Sequence, residues 1–427
     1  MKNQVFLRMY CRWNLGDDLF LQILLERYKD TSFFLYGDKK WARGFSDYKN
    51  LKIGRPFFGL TFAKMGRKAC KVRKKLCGEP GNRQGVASGK DDKTARLNDV
   101  WYVKNRMASR SRATILLGGS LFMEPEIQGL RNDYYRQDLP FFVLGVNYGP
   151  AASEAYQEWC ARYLEGKTDV CFRDRASYEL FRENPAVRLA PDIVFGIRKY
   201  GILPETVGNH DLKQGEEADK AGLFVSVIDL PARWEAAKDR KNFGVSAGIN
   251  QGELLEKRIL EEILRTLRAG EPVTLASFCD RYGDWDAACR LLNTIQSTDP
   301  GAYREWRENK LLRAYRYRGA AEEREKILRA MAVADRVIGG RFHSIVLGLV
   351  LGKKVLPICY DVKSENLLAD LGFGDKGIRI LNPVDDQEMS EGYVGLSQEK
   401  TEELEKAAEQ QFAVLDEYLG RSGAKKN

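Results

Sequence analysis

In VIGGRFHSIVLGLV, residues 337–350, an arginine and a histidine stand two apart behind a pair of glycines. His343 is one of two histidines in the chain. A histidine can hold or release a proton near neutral pH, and an arginine can grip two oxygens of a carboxylate or phosphate at once. Eight of the fourteen residues are aliphatic or aromatic, so the stretch also reads as a buried segment with a satisfied core histidine. The charge pattern favours chemistry. Gly339 and Gly340 end a strand, and Arg341-Phe342-His343-Ser344 open a helix, where the macrodipole disfavours positive charge. Two potential cations at that entrance predict a bound anion.

Five other polar motifs follow apolar strands. NLGDD, residues 14–18, places Gly16 for a tight turn and Asp18 as the cap of a helix opening at Leu19. Turn and cap leave Asn14 and Asp17 without a structural duty. LLGGS, 116–120, with Gly118, Gly119 and Ser120, reads either as a simple turn or as a close approach to a ligand. GVNYGP, 145–150, carrying Asn147, has the same two readings. In FRDRASYELF, 172–181, Arg173 ends a strand and Asp174 caps the helix of Ser177. Arg173 is a surface ion pair or an oxyanion clamp. Lys363 in YDVKSENL, 360–367, can reach an anion from a further strand end.

These motifs need strands and crossover helices to bring them together. Short apolar runs (VFLRMY, SFFLYG, TILLGGS, FFVLGV, DVCFRD, GLFVSVIDL, PVTLASFC, DRVIGG, KVLPICY) alternate with amphipathic stretches along the chain, the pattern of parallel α/β units. The expected fold is α/β, with two Rossmann-like domains facing across a cleft. The first covers 1–200 with a basic insertion at about 61–112; a linker follows at 201–221; the second covers 222–395. One helix over about 398–419, within 396–420, and a disordered tail at 421–427 complete the chain. Ligands of such sheets bind beyond the carboxyl ends of the strands.

The chain of 427 residues is 44% hydrophobic and 30% charged, with no apolar run long enough for a membrane span and no secretory signal pattern at its start. Its eight cysteines form no CxxC, so a zinc site and disulfides are not expected and a reducing cytoplasm is. The formal charge of +9 is concentrated: residues 61–112 hold fifteen Lys or Arg against four Asp or Glu. That stretch is either a solvated insertion or a contact with an anionic membrane surface or polyanionic substrate. No nucleic-acid partner is expected, since no stacking pattern or DNA-binding motif accompanies the charge.

Taken in order, NLGDD, LLGGS, GVNYGP, RDRAS, PDIVF and GGRFHSIVLGLVLGKKVLPICYDVKSENLLADLGF resemble the polysaccharide pyruvyl transferase family. Ser120 departs from it where the family usually carries a third glycine. The resemblance implies a glycosyltransferase-B-like fold and transfer of the enolpyruvyl unit of phosphoenolpyruvate onto two hydroxyls of a sugar. The product is a cyclic pyruvate ketal, phosphate is released, and no metal or nicotinamide cofactor is needed. The acceptor is a polysaccharide or its lipid-linked precursor, and the setting is cytoplasmic, with residues 61–112 as a candidate contact to the inner membrane face. Under this reading His343 is the general acid, its pKa raised by the nearby anion. Asp17 orients or deprotonates an acceptor hydroxyl, and Arg341, Arg173 and Lys363 hold the donor. Asn14, Gly16, Gly118, Gly119, Ser120, Asn147, Ser177, Gly340 and Ser344 are expected around them. Two rival readings stand beside this one: a sugar-nucleotide glycosyltransferase of similar architecture, and a non-catalytic polysaccharide-assembly protein. The oligomeric state is not legible.

Overall fold

Strands ATILL, FFVLGV, LFVSV and VTLAS are buried along their whole length, as strands covered by helices on both faces must be. The computed structural model describes residues 4–10, 12–54, 111–124, 139–151, 153–204, 222–241, 250–385 and 387–420. The basic stretch 61–112, save its last two residues, most of the 201–221 linker and the 421–427 tail lie outside the described residues.

The first sheet contains β1 (Gln4–Met9), β2 (Ser32–Tyr36), β3 (Leu51–Gly54), β4 (Ala113–Leu117), β5 (Phe141–Val146), β6 (Asp169–Phe172) and β7 (Val187–Leu189). Its order is β3-β2-β1-β4-β5-β6-β7, and every pairing is parallel. Helices α1 (Leu15–Arg27), α2 (Glu154–Leu164) and α3 (Arg175–Phe181) connect its strands. The second sheet contains β8 (Leu223–Val227), β9 (Val273–Ser277), β10 (Leu312–Arg316), β11 (Arg336–Gly339), β12 (Lys354–Cys359) and β13 (Ile378–Arg379). Its order is β10-β9-β8-β11-β12-β13, again parallel throughout. Helices α4 (Leu230–Lys241), α5 (Gln251–Arg268), α6 (Asp284–Thr298), α7 (Pro300–Glu308), α8 (Ala321–Val333), α9 (Phe342–Val350) and α10 (Val362–Asp370) surround it. Each sheet therefore reverses its winding at one place, between β1 and β4 in the first and between β8 and β11 in the second. Such reversal points open the crevice in which ligands of these folds sit.

The two halves are packed together as well as facing each other. One apolar cluster includes Leu7, Leu19 and Ile193 of the first half with Ile345, Val346 and Val350 of α9. The chain then returns to the first half through α11 (Gln398–Ala408) and α12 (Ala413–Leu419). A 3-10 turn at Glu409–Phe412 breaks the single helix expected from the sequence. That turn is where the chain clasps the first sheet. The buried Gln411 accepts from Gly145 N at 2.9 Å and donates to the carbonyls of Ala190 and Pro191 at 2.7 and 3.1 Å. The Gly145 amide is available because β5 bulges there, with φ at +70°, a conformation glycine tolerates. Beside it, buried Arg27 meets Glu409 at 2.6 Å and Asp416 at 3.0 Å.

Two expectations need correction. Helix α1 opens at Leu15, not Leu19, because Asn14 supplies the cap, its side chain accepting from Gly16 N. Asp18 is therefore inside the first turn, where it accepts a 2.5 Å hydrogen bond from Tyr317 of the second half. Replacing Gln411 by leucine would strand one buried amide and two carbonyls. The expected cost is about 2 kcal/mol, read as a lower urea midpoint; an unchanged midpoint would show that the clasp contributes nothing.

Candidate functional site

The first turn of α1 lies directly against the second half. Leu15 N–H donates to Phe278 O at 3.0 Å, and Asn14 forms an isolated antiparallel bridge with Cys279. Gly16 is required here. A Cβ on it would come within 1.8 Å of His343 Nδ1, inside the imidazole itself. The ring is further boxed by Phe20 and Phe342, with centroids at 5.0 and 5.2 Å in edge-on geometry. Asp17 follows Gly16 and lines the cleft.

Beyond β4, Gly118 adopts φ +137°, and Gly119 is held to hydrogen by Arg173, whose guanidinium would lie 2.6 Å from a Cβ there. Of the two readings of LLGGS, close approach is thus the one found, though the group approaching is a protein side chain. Arg173 is no surface ion pair. Its side chain is 2% exposed and meets Asp192, 1% exposed, at 2.8 Å. Asn147 Oδ1 accepts from its other terminal nitrogen at 2.7 Å, and the guanidinium lies 3.8 Å above the Phe342 ring. Asp192 is fixed in turn by accepting from Val194 N at 2.9 Å, and it faces His343 Nε2 at 3.6 Å. Asp174 caps α3 as expected. Its partner Ser177 is buried; the hydroxyl donates to Asp174 and accepts from Tyr148 N. That leaves Ser177 a local structural role.

On the second half, Arg341 is the residue just before α9. Its guanidinium binds both oxygens of Asp284, 2.9 Å on the Nε side. Asp284 is fully buried and also accepts from Cys279 N at 3.0 Å. The protein itself thus supplies carboxylates to both residues of the RFH motif. The expectation that two cations at this helix entrance require a bound anion is corrected accordingly. Ser344 caps Arg341, accepting from its N–H at 3.1 Å and donating to its carbonyl at 2.6 Å. Gly340 lets β11 pass β8, since a Cβ would lie 2.2 Å from Ser226 O. Neither residue reaches the cleft. Lys363, at the start of α10, pairs with Asp361 at 3.0 Å and lies 3.5 Å from Ser120 Oγ across the domains.

The resulting cleft has a volume of about 260 Å³. Asn14, Asp17, Gly119, Ser120 and Arg173 line it from the first half, and Arg341, His343 and Lys363 from the second. Gly16, Gly118 and Asn147 support it from behind. Sequence reasoning missed Asp192, although PDIVF places it just past a strand, and Asp284, which reads as an ordinary helix-opening acid in DRYGDWD. It also missed the wall formed by Arg233, Tyr282 and Tyr360.

Burial, followed by the neighbouring Asp18, raises the Asp17 pKa to about 7. Burial would also raise Asp192, but His343 and Arg173 beside it hold its carboxyl below the usual carboxylate range. For His343 burial wins over Asp192 and lowers the pKa. The expected raised pKa is therefore corrected for the free site: burial of the imidazole outweighs the pull of Asp192, which Arg173 and Lys363 also oppose. Lys363 is raised, Asp361 and Tyr360 overcoming burial. His343 Nε2 and Arg173 Nε have no hydrogen-bond partner among the described residues. Among the described residues no three His, Cys, Asp or Glu side chains form a metal-binding group.

The comparisons with known proteins bear on family and fold. A family model described as polysaccharide pyruvyl transferase matches residues 14–362. UDP-GlcNAc 2-epimerase from Neisseria meningitidis, solved with UDP-GlcNAc, is similar at a TM-score of 0.50 and 9% identity, over 98% of this chain and 100% of that one. The Anabaena protein Alr3699/HepE, solved with UDP and glucose, has a TM-score of 0.45 and 11% identity over 98% of both chains. At 9% identity the first likeness is one of fold alone: two parallel-sheet α/β domains in a glycosyltransferase-B-like arrangement. No curated protein matches the chain by sequence. The family model takes in every strand-end motif from Asn14 to the start of α10, and the chain belongs to the polysaccharide pyruvyl transferase family.

Proposed function

We propose that this transferase moves the enolpyruvyl group of phosphoenolpyruvate onto two hydroxyls of a saccharide, forming a pyruvate ketal. The observation that carries the proposal is the meeting of Arg173, Lys363, His343 and Asp17 in one cleft at the two facing sheet reversals. Phosphoenolpyruvate brings a carboxylate and a phosphate. Lys363 and the free Nε edge of Arg173 meet one, and Arg341 the other. His343 protonates the methylene carbon, which leaves positive charge on the carbon bearing the carboxylate. A first acceptor hydroxyl adds there, passing its proton to Asp17. The C–O bond to phosphate then breaks, and the second hydroxyl adds to the same carbon. Of the two hydroxyl protons, one restores His343 and the other departs with phosphate, so the catalyst returns to its starting state.

A near-neutral Asp17 suits this role, because a general base works best with a pKa close to the operating pH. His343 is held neutral in the free site and gains its proton with the donor, since a polyanion beside it favours the charged form. Among the described residues no helix is long and apolar enough to cross a membrane. A peripheral contact of residues 61–112 with anionic lipid at the inner membrane face rests on their charge alone.

Titration calorimetry with phosphoenolpyruvate, UDP-glucose and GDP-mannose tests the donor. Phosphoenolpyruvate is expected to bind with proton uptake at pH 7.5, seen as a dependence of the heat on buffer ionisation. Preferential binding of a sugar nucleotide would replace this reading with that of a glycosyltransferase. In phosphate-release assays His343→Gln is expected to lower turnover about 100-fold or more, with the KM for phosphoenolpyruvate changed only a few-fold; full activity would remove His343 as the acid. Asp17 yields a stability test. A carboxyl whose folded pKa lies near 7 favours folding at low pH and loses that contribution as pH rises through 7. Asp17→Asn should therefore unfold at a higher temperature than the parent at pH 8, with the gap closing toward pH 4, while losing activity. A gap that widens toward pH 4 would mean that the Asp17 pKa is not raised.

A further inference from the structure

Three cations of the cleft already have a carboxylate: Arg173 has Asp192, Arg341 has Asp284 and Lys363 has Asp361. Arg233 lines the same cleft and has no carboxylate partner among the described residues. It sits in the first turns of α4, just past β8, and so at the reversal point of the second sheet. Its guanidinium lies between two tyrosines, 5.1 Å from the Tyr282 ring centroid and 5.4 Å from that of Tyr360. The same two rings also lie beside the inner cations. Tyr282 also faces Arg341 at 5.5 Å, and Tyr360 faces Lys363 at 5.8 Å. Tyr282 is 41% exposed, which is high for a large ring in a cleft wall.

An arginine braced by aromatic faces is pre-oriented at little further entropy cost, and its planar edge stays available for two oxygens of an anion. The exposed part of the Tyr282 ring beside it offers apolar surface that a sugar ring can meet. We propose that Arg233 and Tyr282 form an acceptor subsite that recognises a saccharide bearing an anionic group, either a phosphate or a carboxylate. The subsite adjoins the donor-binding cations, with which it shares the Tyr282 and Tyr360 rings. It rests on the reading of the cleft as a donor and acceptor site. Within that reading it fixes the chemical class of the acceptor: the sugar packs on Tyr282 and its charge seats on Arg233.

The test is direct binding, which needs no turnover. Glucose 1-phosphate, glucuronate and glucose are titrated at constant ionic strength into the protein, Arg233→Ala and Arg233→Lys, with phosphoenolpyruvate titrated into each as a control. The expected result is that at least one of the two anionic sugars binds at least tenfold more weakly to Arg233→Ala, with Arg233→Lys in between. Glucose and phosphoenolpyruvate should bind all three proteins alike. The probe that weakens names the group: glucose 1-phosphate for a phosphate, glucuronate for a carboxylate. Equal binding of both anionic sugars to the parent and Arg233→Ala would overturn the subsite. So would weakened phosphoenolpyruvate binding, which would place Arg233 in the donor site. Failure of the parent protein to bind phosphoenolpyruvate would count against the proposed reaction while leaving the sugar titrations to decide the subsite.

Discussion

The imidazole of His343 rests on a residue with no side chain. Because Gly16 leaves room for nothing else, the first turn of α1 and the entrance of α9 approach as closely as two helices can at that point. This contact joins the reversal point of one sheet to that of the other. The bridge between Asn14 and Cys279 and the bond from Tyr317 to Asp18 secure the same seam. Any side chain at position 16 would displace the ring from Asp192 and part the strand ends on which the cleft depends.

Charge inside that seam is arranged in advance of any ligand. Asp192 and Asp284 are buried, each is held by a backbone amide, and each faces one of the two basic residues of the RFH motif. A buried pair of this kind adds little net stability, because desolvation offsets most of the Coulomb gain. What it provides is fixed orientation: Arg173 cannot swing away from Asp192 and Asn147, and Arg341 cannot leave Asp284. Dipoles and charges already in position need no reorganisation when charge develops in a reaction.

The sequence carried the fold and the inner site further than it carried the contacts. Strand-end placement, charge and the family resemblance together singled out Asp17, Arg173, His343 and Lys363, because parallel sheets collect their carboxyl ends on one edge. They could not say which charges would meet. Asp284 and Arg341 lie on different strand-to-helix connections, and Asp192 and His343 belong to different sheets, so no spacing rule links either pair. The histidine pKa was misjudged for the same reason. A neighbouring anion was foreseen, but not that Phe20 and Phe342 would enclose the ring and let burial outweigh it. Ser177, Ser344 and Gly340 were grouped with the site because polar caps and close-packed glycines look the same in sequence as ligand contacts. The break at 409–412 was hidden because a 3-10 turn preserves the amphipathic pattern on either side.

Gln411 and its neighbours finish a domain whose strands end at Leu189. On a ribosome those residues emerge only after the entire second sheet. The first half of the molecule is thus the first to be made and the last to be completed. Until the chain end arrives, the bulge at Gly145 has an unanswered amide and the surface of α1 around Arg27 has an unanswered charge.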